Sequence, residues 1–171
     1  PTRKESENSM IKHIINGQQV ESAETFQTLN PATGEVRRTK FNDARLRLIF
    51  DVNMRQSHAA GRWRRGMRGK LPFIVYRTMG DERVRVSHRP WDYLVLPREH
   101  PFWDTHFPPN GWRCRCHAFF TDEAGVQALI KAGRKVHREP PPTQWVEFEN
   151  KSTGQVERVP RGIDPGFAYN P

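Results

Sequence analysis

The apolar residues of this chain fall into short segments that are separated by turn-forming residues. The first clear segment, residues 26–29, has apolar residues at Phe26 and Leu29, and the chain returns through a second short segment around Val36. Between them, residues 30–34 read Asn-Pro-Ala-Thr-Gly, a composition that favours a tight turn. This pattern predicts a β-hairpin over residues 26–39.

A helical period begins soon after the hairpin. Asn42 has a side chain suited to the N-cap, and Asp43 places a negative charge in the first turn, where the helix dipole favours it. The positions that then follow the helical spacing are Leu46, Ile49, Phe50, Asn53, Met54 and Ser57. We therefore predict a helix over residues 43–60.

Three later segments complete the predicted fold. Residues 72–77 form a short apolar strand, and Thr121 is the candidate cap of a short helix that ends near Gly133. Residues 145–149 and 156–159 read as two strands around a turn. The predicted class is α+β, with a main helix and a second short helix packed on small antiparallel β-hairpins. Long irregular loops rich in proline and aromatic residues connect these elements.

The first 25 residues are polar and lack a period. We interpret residues 1–25 as a linker from a larger N-terminal region and residues 26–171 as one domain of ordinary size. No apolar run reaches the roughly 18 residues that a membrane-spanning helix needs, so no membrane span is expected.

The charge balance adds a class of partner to this picture. The formal net charge is +9 and the isoelectric point is about 10.2. Such a balance favours contact with a polyanion such as double-stranded DNA, or with an acidic protein, although it is also typical of plain solubility.

Many of the cations concentrate just after the predicted helix, around Trp63. They are Arg62, Arg64, Arg65, Arg68 and Lys70. Arginines beside an aromatic ring are typical of phosphate contact combined with base stacking. They are equally typical of a solvated helix end, where the dipole favours cations. A basic nucleic-acid-binding module is therefore one interpretation of this segment.

Cys114 and Cys116 are the only cysteines, and one residue separates them. A disulfide between positions i and i+2 of an extended segment is strained, whereas two thiolates on one side suit a zinc ion. His88 is the leading further ligand and His106 is the candidate for the fourth position. Other candidates nearby are His100, His117 and Asp104. The alternative is a pair of buried free cysteines with a hydrogen-bonded histidine.

Asp81, Arg83 and Arg85 alternate just before His88. They predict either an ion-pair frame that fixes the histidine loop or a solvated strand face. A carboxylate beside a metal-bound histidine is also the machinery of hydrolytic nucleases. However, no H-N-H, D-x-E or H-E-x-x-H pattern is present, so we expect a protein that is not an enzyme.

A long loop before the cysteines is rich in aromatic residues and prolines. Phe102, Trp103, Phe107 and Trp112 are predicted to form a small aromatic core beneath it. His100, between Glu99 and Pro101, reads as a turn residue rather than a ligand.

Several of these segments together resemble the phage Mu protein F family. The matching residues are 46–53 (LRLIFDVN), Tyr76, 81–88 (DERVRVSH), 101–103 (PFW) and 108–116 (PPNGWRCRC). The closing residues 159–171 also resemble the end of that domain. Residues 26–171 are accordingly interpreted as a Mu F-like head morphogenesis domain.

The resemblance implies a minor head protein of a tailed phage or prophage, present in few copies near the portal. It implies a role in head morphogenesis and in DNA packaging or delivery. The expected location is the virion, or the cytoplasm of the bacterial host during assembly. Related domains are fused to toxin modules, so a toxin-associated effector or a metal-dependent nuclease is the alternative.

The recurring polar positions of the family fall on Asp81, Arg83, Arg85, His88, Cys114 and Cys116. Two positions differ from the family's pattern. Gly111 stands where many relatives carry a histidine, and Tyr93 lies where many carry a glycine. The first difference leaves a zinc site one ligand short, unless His100, His106 or Asp104 replaces that histidine.

Overall fold

The structure is a computed structural model, and it describes four short strands as backbone and most of the remaining chain in full. The strands lie within residues 13–40, and the fully described ranges are residues 43–150 and 154–170. The chain divides into two compact units, Pro1–Ile49 and Phe50–Pro171.

The first unit contains two antiparallel strand pairs. Strand β1 (His13–Ile15) pairs with β2 (Gln18–Val20), and β3 (Thr25–Leu29) pairs with β4 (Val36–Lys40). The predicted hairpin is therefore confirmed, while its turn and the predicted cap Asn42 lie outside the described residues. The interpretation of residues 1–25 as a linker stays a prediction, and β1 and β2 fall within that range.

The main helix, α1, spans Asp43–Arg68 and so continues past its predicted end at residue 60. Of the residues predicted to follow its spacing, Phe50 and Met54 are exposed. In the part of α1 that belongs to the second unit, the buried residues are instead Val52 and Ala59. The prediction followed the helical spacing that starts at Leu46, but burial depends on which face of the helix meets the rest of the unit.

A three-stranded antiparallel sheet forms the centre of the second unit. Its strands are β5 (Phe73–Arg77), β6 (Val95–Pro97) and β7 (His117–Thr121), in the order β6-β5-β7. The α+β class is confirmed, but this sheet is not built from hairpins as predicted. Its strands are distant in the chain, because the loops between them carry the residues of the candidate site.

One face of the sheet packs on helix α3 (Glu123–Lys131). Val75 and Val95 from the sheet form a buried cluster with Val126 of α3. The helix is capped by Asp122, whose carboxylate accepts a hydrogen bond from the backbone N–H of Gly125 at 2.9 Å. The predicted cap, Thr121, is instead the last residue of β7. A carboxylate at the N-cap satisfies a free amide of the first turn.

The opposite face of the sheet packs on aromatic side chains. Phe120 lies beside Trp63 of α1 at a ring-centroid distance of 6.3 Å, and Tyr76 meets the edge of Trp91 at 5.6 Å. Strand β5 is thus buried on both faces, which explains why residues 73–76 read as one continuous apolar run.

The remaining elements are short. A 3-10 helix spans Val86–Trp91, α2 spans Trp103–His106, and β8 (Trp145–Glu149) pairs with β9 (Val156–Pro160) as predicted. Among the described residues, no helix combines the length and apolar character needed to cross a membrane.

The predicted aromatic core is present in most of its parts. Phe102, Trp103 and Phe107 are buried, whereas Trp112 is 46% exposed and meets the edge of Phe167 from the C-terminal segment. Trp112 therefore covers that segment from outside and lies at the rim of the unit, not in its core.

Candidate functional site

Three side chains with metal-ligating atoms converge in the second unit. His88 comes from the 3-10 helix, and Cys114 and Cys116 come from the segment that leads into β7. Nδ1 of His88 lies 3.9 Å from Sγ of Cys114 and 3.6 Å from Sγ of Cys116. The three potential ligand atoms lie within 4.8 Å of one another. The structure thus brings together three of the four residues predicted as ligands.

The C-terminal segment sets the orientation of the His88 ring. Nε2 of His88 lies 2.7 Å from the carbonyl oxygen of Gly162, an acceptor that requires Nε2 to carry the proton. Trp91 stacks on the imidazole with centroids 4.8 Å apart and planes 25° apart. In the neutral ring these contacts leave the Nδ1 lone pair directed toward the two sulfurs.

The surroundings shift the pKa values of the two thiols in opposite directions. The pKa of Cys114 is lowered, chiefly because the Cys116 thiol hydrogen-bonds to its sulfur. The pKa of Cys116 is raised, because its proton is held by Cys114 and because it is buried. The pair therefore favours a thiolate at Cys114 with the remaining proton on Cys116.

The residue between the cysteines anchors this loop. Both terminal nitrogens of Arg115 bind the Asp81 carboxylate, at 2.8 and 2.7 Å. This fork-to-fork geometry is the strongest form of an arginine–carboxylate pair. Asp81, one of the predicted frame residues, therefore pairs with a residue of the Cys-Arg-Cys motif, and its role as a frame for the His88 loop stays a prediction.

A second ion pair holds the C-terminal segment. Arg85 donates to both carboxylate oxygens of Asp164, at 2.7 and 2.9 Å, and also to the carbonyl oxygen of Trp112 at 2.9 Å. Asp164 in turn accepts from the backbone N–H of Trp112 at 2.8 Å. Arg83, the third predicted frame residue, is exposed.

The two departures from the family pattern have structural consequences. A Cβ at Gly111 would lie 2.2 Å from Oδ2 of Asp164 and 2.8 Å from Nη1 of Arg85. The Arg85–Asp164 pair therefore occupies the space that a side chain at residue 111 would need. Tyr93 has a φ of 57°, in the left-handed region that favours glycine, and the Arg77 guanidinium lies 3.8 Å from its ring centroid.

His106, the predicted fourth ligand, lies outside the cluster. Its ring stacks on Phe102 with centroids 4.1 Å apart, and the edge of Trp91 meets it at 5.0 Å. Burial lowers the pKa of His106 to about 4, so the ring is neutral near pH 7. Its Nδ1 also lies 2.8 Å from the Thr105 hydroxyl, so His106 is engaged with residues other than the cysteines.

The other candidate ligands also lie apart from the cluster. His100 accepts a hydrogen bond from the backbone N–H of Phe102 at 3.1 Å, within the predicted turn. His117 is the first residue of β7, and Asp104 is exposed on α2. Among the described residues, only His88 and the two cysteines form such a group.

The cationic segment lies at the end of α1. Arg64, Arg65, Arg68 and Lys70 are exposed, and Arg62 is half-buried. In the described part of the chain, no carboxylate forms an ion pair with any of these five cations. Trp63 points away from solvent, because it meets the edge of Phe107 with centroids 4.9 Å apart. The indole predicted to stack on bases is thus engaged within the protein.

Several residues of the site were not found from the sequence. Gly162, Asp164 and Trp91 support His88 or Arg85, and Asn110 accepts a hydrogen bond from the buried Tyr76 hydroxyl at 2.8 Å. The only available signal was the resemblance of residues 159–171 to the end of the family domain, which lies outside the residues that the family model matches. That resemblance did not indicate which residues they would contact.

Comparisons with known proteins place the chain in a family. Residues 5–119 match the family model described as "Phage Mu protein F like protein", so the chain belongs to that family. The match includes His88, Cys114 and Cys116. It ends before the C-terminal residues that contact them.

Two curated relatives are similar to this chain. The first, "Putative capsid assembly protein F" of Escherichia phage Mu, is 33% identical over 142 residues, covering 74% of this chain and 32% of the relative. The second, "Mu-like prophage FluMu F protein" of Haemophilus influenzae, is 33% identical over 86 residues, covering 49% of this chain and 21% of the relative. The chain thus spans about a third or less of each. No solved structure matches it significantly.

Proposed function

We propose that this chain acts in head assembly of a tailed phage or prophage, as a structural component of the virion located near the portal. Family membership carries the proposal, together with the name of the phage Mu relative, which describes capsid assembly. The portal location rests on the family resemblance of residues 81–116.

An exposed apolar hairpin supports a role in protein assembly. Trp145, Val146, Phe148 and Val156 on β8 and β9 are each between 41% and 64% exposed. Val146 and Phe148 share one face of the hairpin, whereas Trp145 and Val156 lie on the other. Exposed apolar side chains of this kind are typical of contact sites for other proteins. We assign this hairpin to contact with another head protein of the same particle.

The residues near the cluster do not favour catalysis. In a hydrolytic nuclease, an available carboxylate near the metal acts as a ligand or as the general base for the attacking water. The carboxylates around the site, Asp81, Asp92 and Asp164, each form an ion pair with an arginine. They act as anchors for the loop, and the nuclease and toxin alternatives are less well supported.

The test is deletion of the coding gene from the phage or prophage, with complementation by the intact gene. We expect deletion to yield few or no filled heads by electron microscopy, and complementation to restore them. Normal numbers of filled, infectious particles without the gene would contradict the proposal.

The contact surface has a separate test. A photo-crosslinking amino acid at Phe148 should capture a head protein, such as the portal protein, in assembling particles. The same label at Met79, which is 51% exposed but lies on another surface, is the matched control. Equal capture from both positions would contradict the assignment to the hairpin.

The cationic end of α1 supports a second role, contact with double-stranded DNA. Its exposed arginines have no ion-pair partner in the described part of the chain, and the net charge is +9. Phosphate contacts of this kind weaken steeply with salt. DNA binding measured at increasing salt should show that dependence, and no binding at low salt would contradict the role.

A further inference from the structure

We propose that His88, Cys114 and Cys116 bind one zinc ion, with a fourth coordination position that faces a cavity and takes a ligand from outside the chain. This site is independent of the proposed role in head assembly. Its argument rests on the distances, the orientation of the imidazole and the groups around the sulfurs.

The distances match those of a zinc tetrahedron. Zn–S bonds of about 2.3 Å and Zn–N bonds of about 2.0–2.1 Å give N···S edges of about 3.5 Å and S···S edges of about 3.8 Å. The two N···S distances here are 3.6 and 3.9 Å. An ion can therefore be accommodated among the three atoms with small side-chain movements.

The imidazole is prepared for coordination through Nδ1. Its Nε2–H donates to the Gly162 carbonyl at 2.7 Å, the arrangement by which proteins fix the ring of a metal-bound histidine. Trp91 restricts rotation of the ring by stacking on it. A histidine that merely filled space would not need both constraints.

The sulfurs are held in the same way. The backbone N–H of Cys114 donates to the carbonyl oxygen of Gly111 at 3.1 Å, which fixes the turn that carries Cys114. Arg115, between the two cysteines, is held by two hydrogen bonds from its guanidinium to Asp81. Both thiols are free, and their spacing makes a mutual disulfide strained. Zinc binds both sulfurs as thiolates, so the proton that remains on the pair would be released to solvent.

The fourth position follows from the surroundings. A cavity of about 260 Å³ is lined by all three proposed ligands and by the exposed residues Arg83 and Arg113. Zn²⁺ with two thiolates and a neutral imidazole carries no net charge. The two arginines therefore favour an anion as the external ligand, such as hydroxide or a carboxylate.

The experiment measures zinc in the tag-free protein after equilibration with zinc and removal of the excess. We expect about one zinc per chain by elemental analysis, and loss of zinc in Cys114→Ser, Cys116→Ser and His88→Gln. The matched control is His100→Gln, which changes an imidazole outside the cluster and should keep the zinc. Wild-type protein that retains no zinc would overturn the site, as would undiminished zinc in the Cys114→Ser and Cys116→Ser variants.

Two measurements on the wild-type protein test the site without requiring that the variants fold correctly. Cobalt substitution should produce thiolate-to-cobalt charge-transfer absorption, and zinc should slow alkylation of both cysteines at least tenfold. Cobalt bound without that absorption, or unchanged alkylation, would place the metal elsewhere. Azide should shift the visible bands of the cobalt form, whereas no shift would overturn the open fourth position.

Discussion

The loop around the cysteines and the end of α1 are both rich in arginine, yet they use it in opposite ways. Arg85 and Arg115 each bind a carboxylate through two hydrogen bonds. Arg64 and Arg68 are exposed, and no described carboxylate pairs with them. The paired arginines of the first region, Arg85 and Arg115, therefore hold the fold, and those of the second remain available to a partner.

The amino-acid composition of the two regions does not show which arginines are paired with a carboxylate and which are exposed. The carboxylate partners lie far away in the chain, since Asp81 is 34 residues from Arg115 and Asp164 is 79 residues from Arg85. Ion pairs of this kind stabilise only when the geometry is good and the groups are partly shielded from water. The comparison predicts that changes in the first region affect stability and changes in the second affect binding.

The largest expected effect on stability is that of Gly111→Ala, beside the Arg85–Asp164 ion pair. The new Cβ would lie 2.2 Å from Oδ2 of Asp164 and force the ion pair with Arg85 apart. We expect a loss of about 3 kcal/mol in the free energy of unfolding, as measured by urea denaturation.

The control for this change is Gly61→Ala in α1, where an added Cβ meets no atom within 4 Å. Because alanine favours helix, we expect a gain of about 0.5–1 kcal/mol in the free energy of unfolding. Equal stability of the two variants would contradict the close packing at Gly111.

The second largest effect is expected from acid, which should lower the free energy of unfolding because of the buried His106. His106 is buried and its pKa is lowered to about 4, so below its unfolded pKa of about 6.5 the unfolded chain binds more protons than the folded one. The stability it contributes is complete above pH 6.5 and falls as the pH decreases toward 4. The loss should reach about 3 kcal/mol by pH 4 in pH-dependent denaturation.

His106→Gln should flatten this slope between pH 6.5 and 5, whatever its own cost. Burial also lowers the pKa of His117, so part of the slope will remain. An unchanged slope would mean that His106 takes up its proton in the folded state.

A smaller loss is expected for Arg85→Met. Arg85 and Asp164 are 36% and 28% exposed, so solvent screens their attraction in part. We expect a loss of about 1–2 kcal/mol in the free energy of unfolding. Arg64→Met at the end of α1 should stay within about 0.5 kcal/mol, and a larger cost there would reveal a structural role for Arg64.

The smallest effect on stability is expected for combined neutralisation of the exposed arginines. Arg64→Gln, Arg65→Gln and Arg68→Gln together should change the free energy of unfolding by less than about 1 kcal/mol. If these residues contact DNA phosphates, the slope of log affinity against log salt should become shallower by about 3. An unchanged slope would exclude this segment from the DNA contact.

Local patterns predicted the elements that depend on local interactions. The β3–β4 hairpin, the body of α1 and the strand at residues 72–77 each follow from a period or a turn signal within a few residues. The end of α1 was missed, because residues 61–68 contain two glycines and read as an exit from the helix. Trp63 and Gly66 are held there by tertiary contact, and a Cβ at Gly66 would lie 2.0 Å from the Phe120 ring.

The residues of the candidate site divide in the same way, into those that the sequence predicted and those that depend on tertiary contacts. The residue types alone selected His88, Cys114 and Cys116, because thiol and imidazole groups are the usual ligands of zinc. Their supporting residues could not be selected in that way. Backbone carbonyls such as that of Gly162 carry no signal in the sequence, and Asp164 is one acidic residue among many.

The amino-acid sequence by itself determined the class of fold, the cationic character and the three side chains of the cluster, because these depend on local period and side-chain chemistry. The tertiary structure decided which arginines are paired, that His106 stands apart from the cysteines, and that Trp63 faces inward. These outcomes depend on contacts between residues far apart in the chain. Such contacts form only when the sheet brings the 3-10 helix, the cysteine loop and the C-terminal segment together.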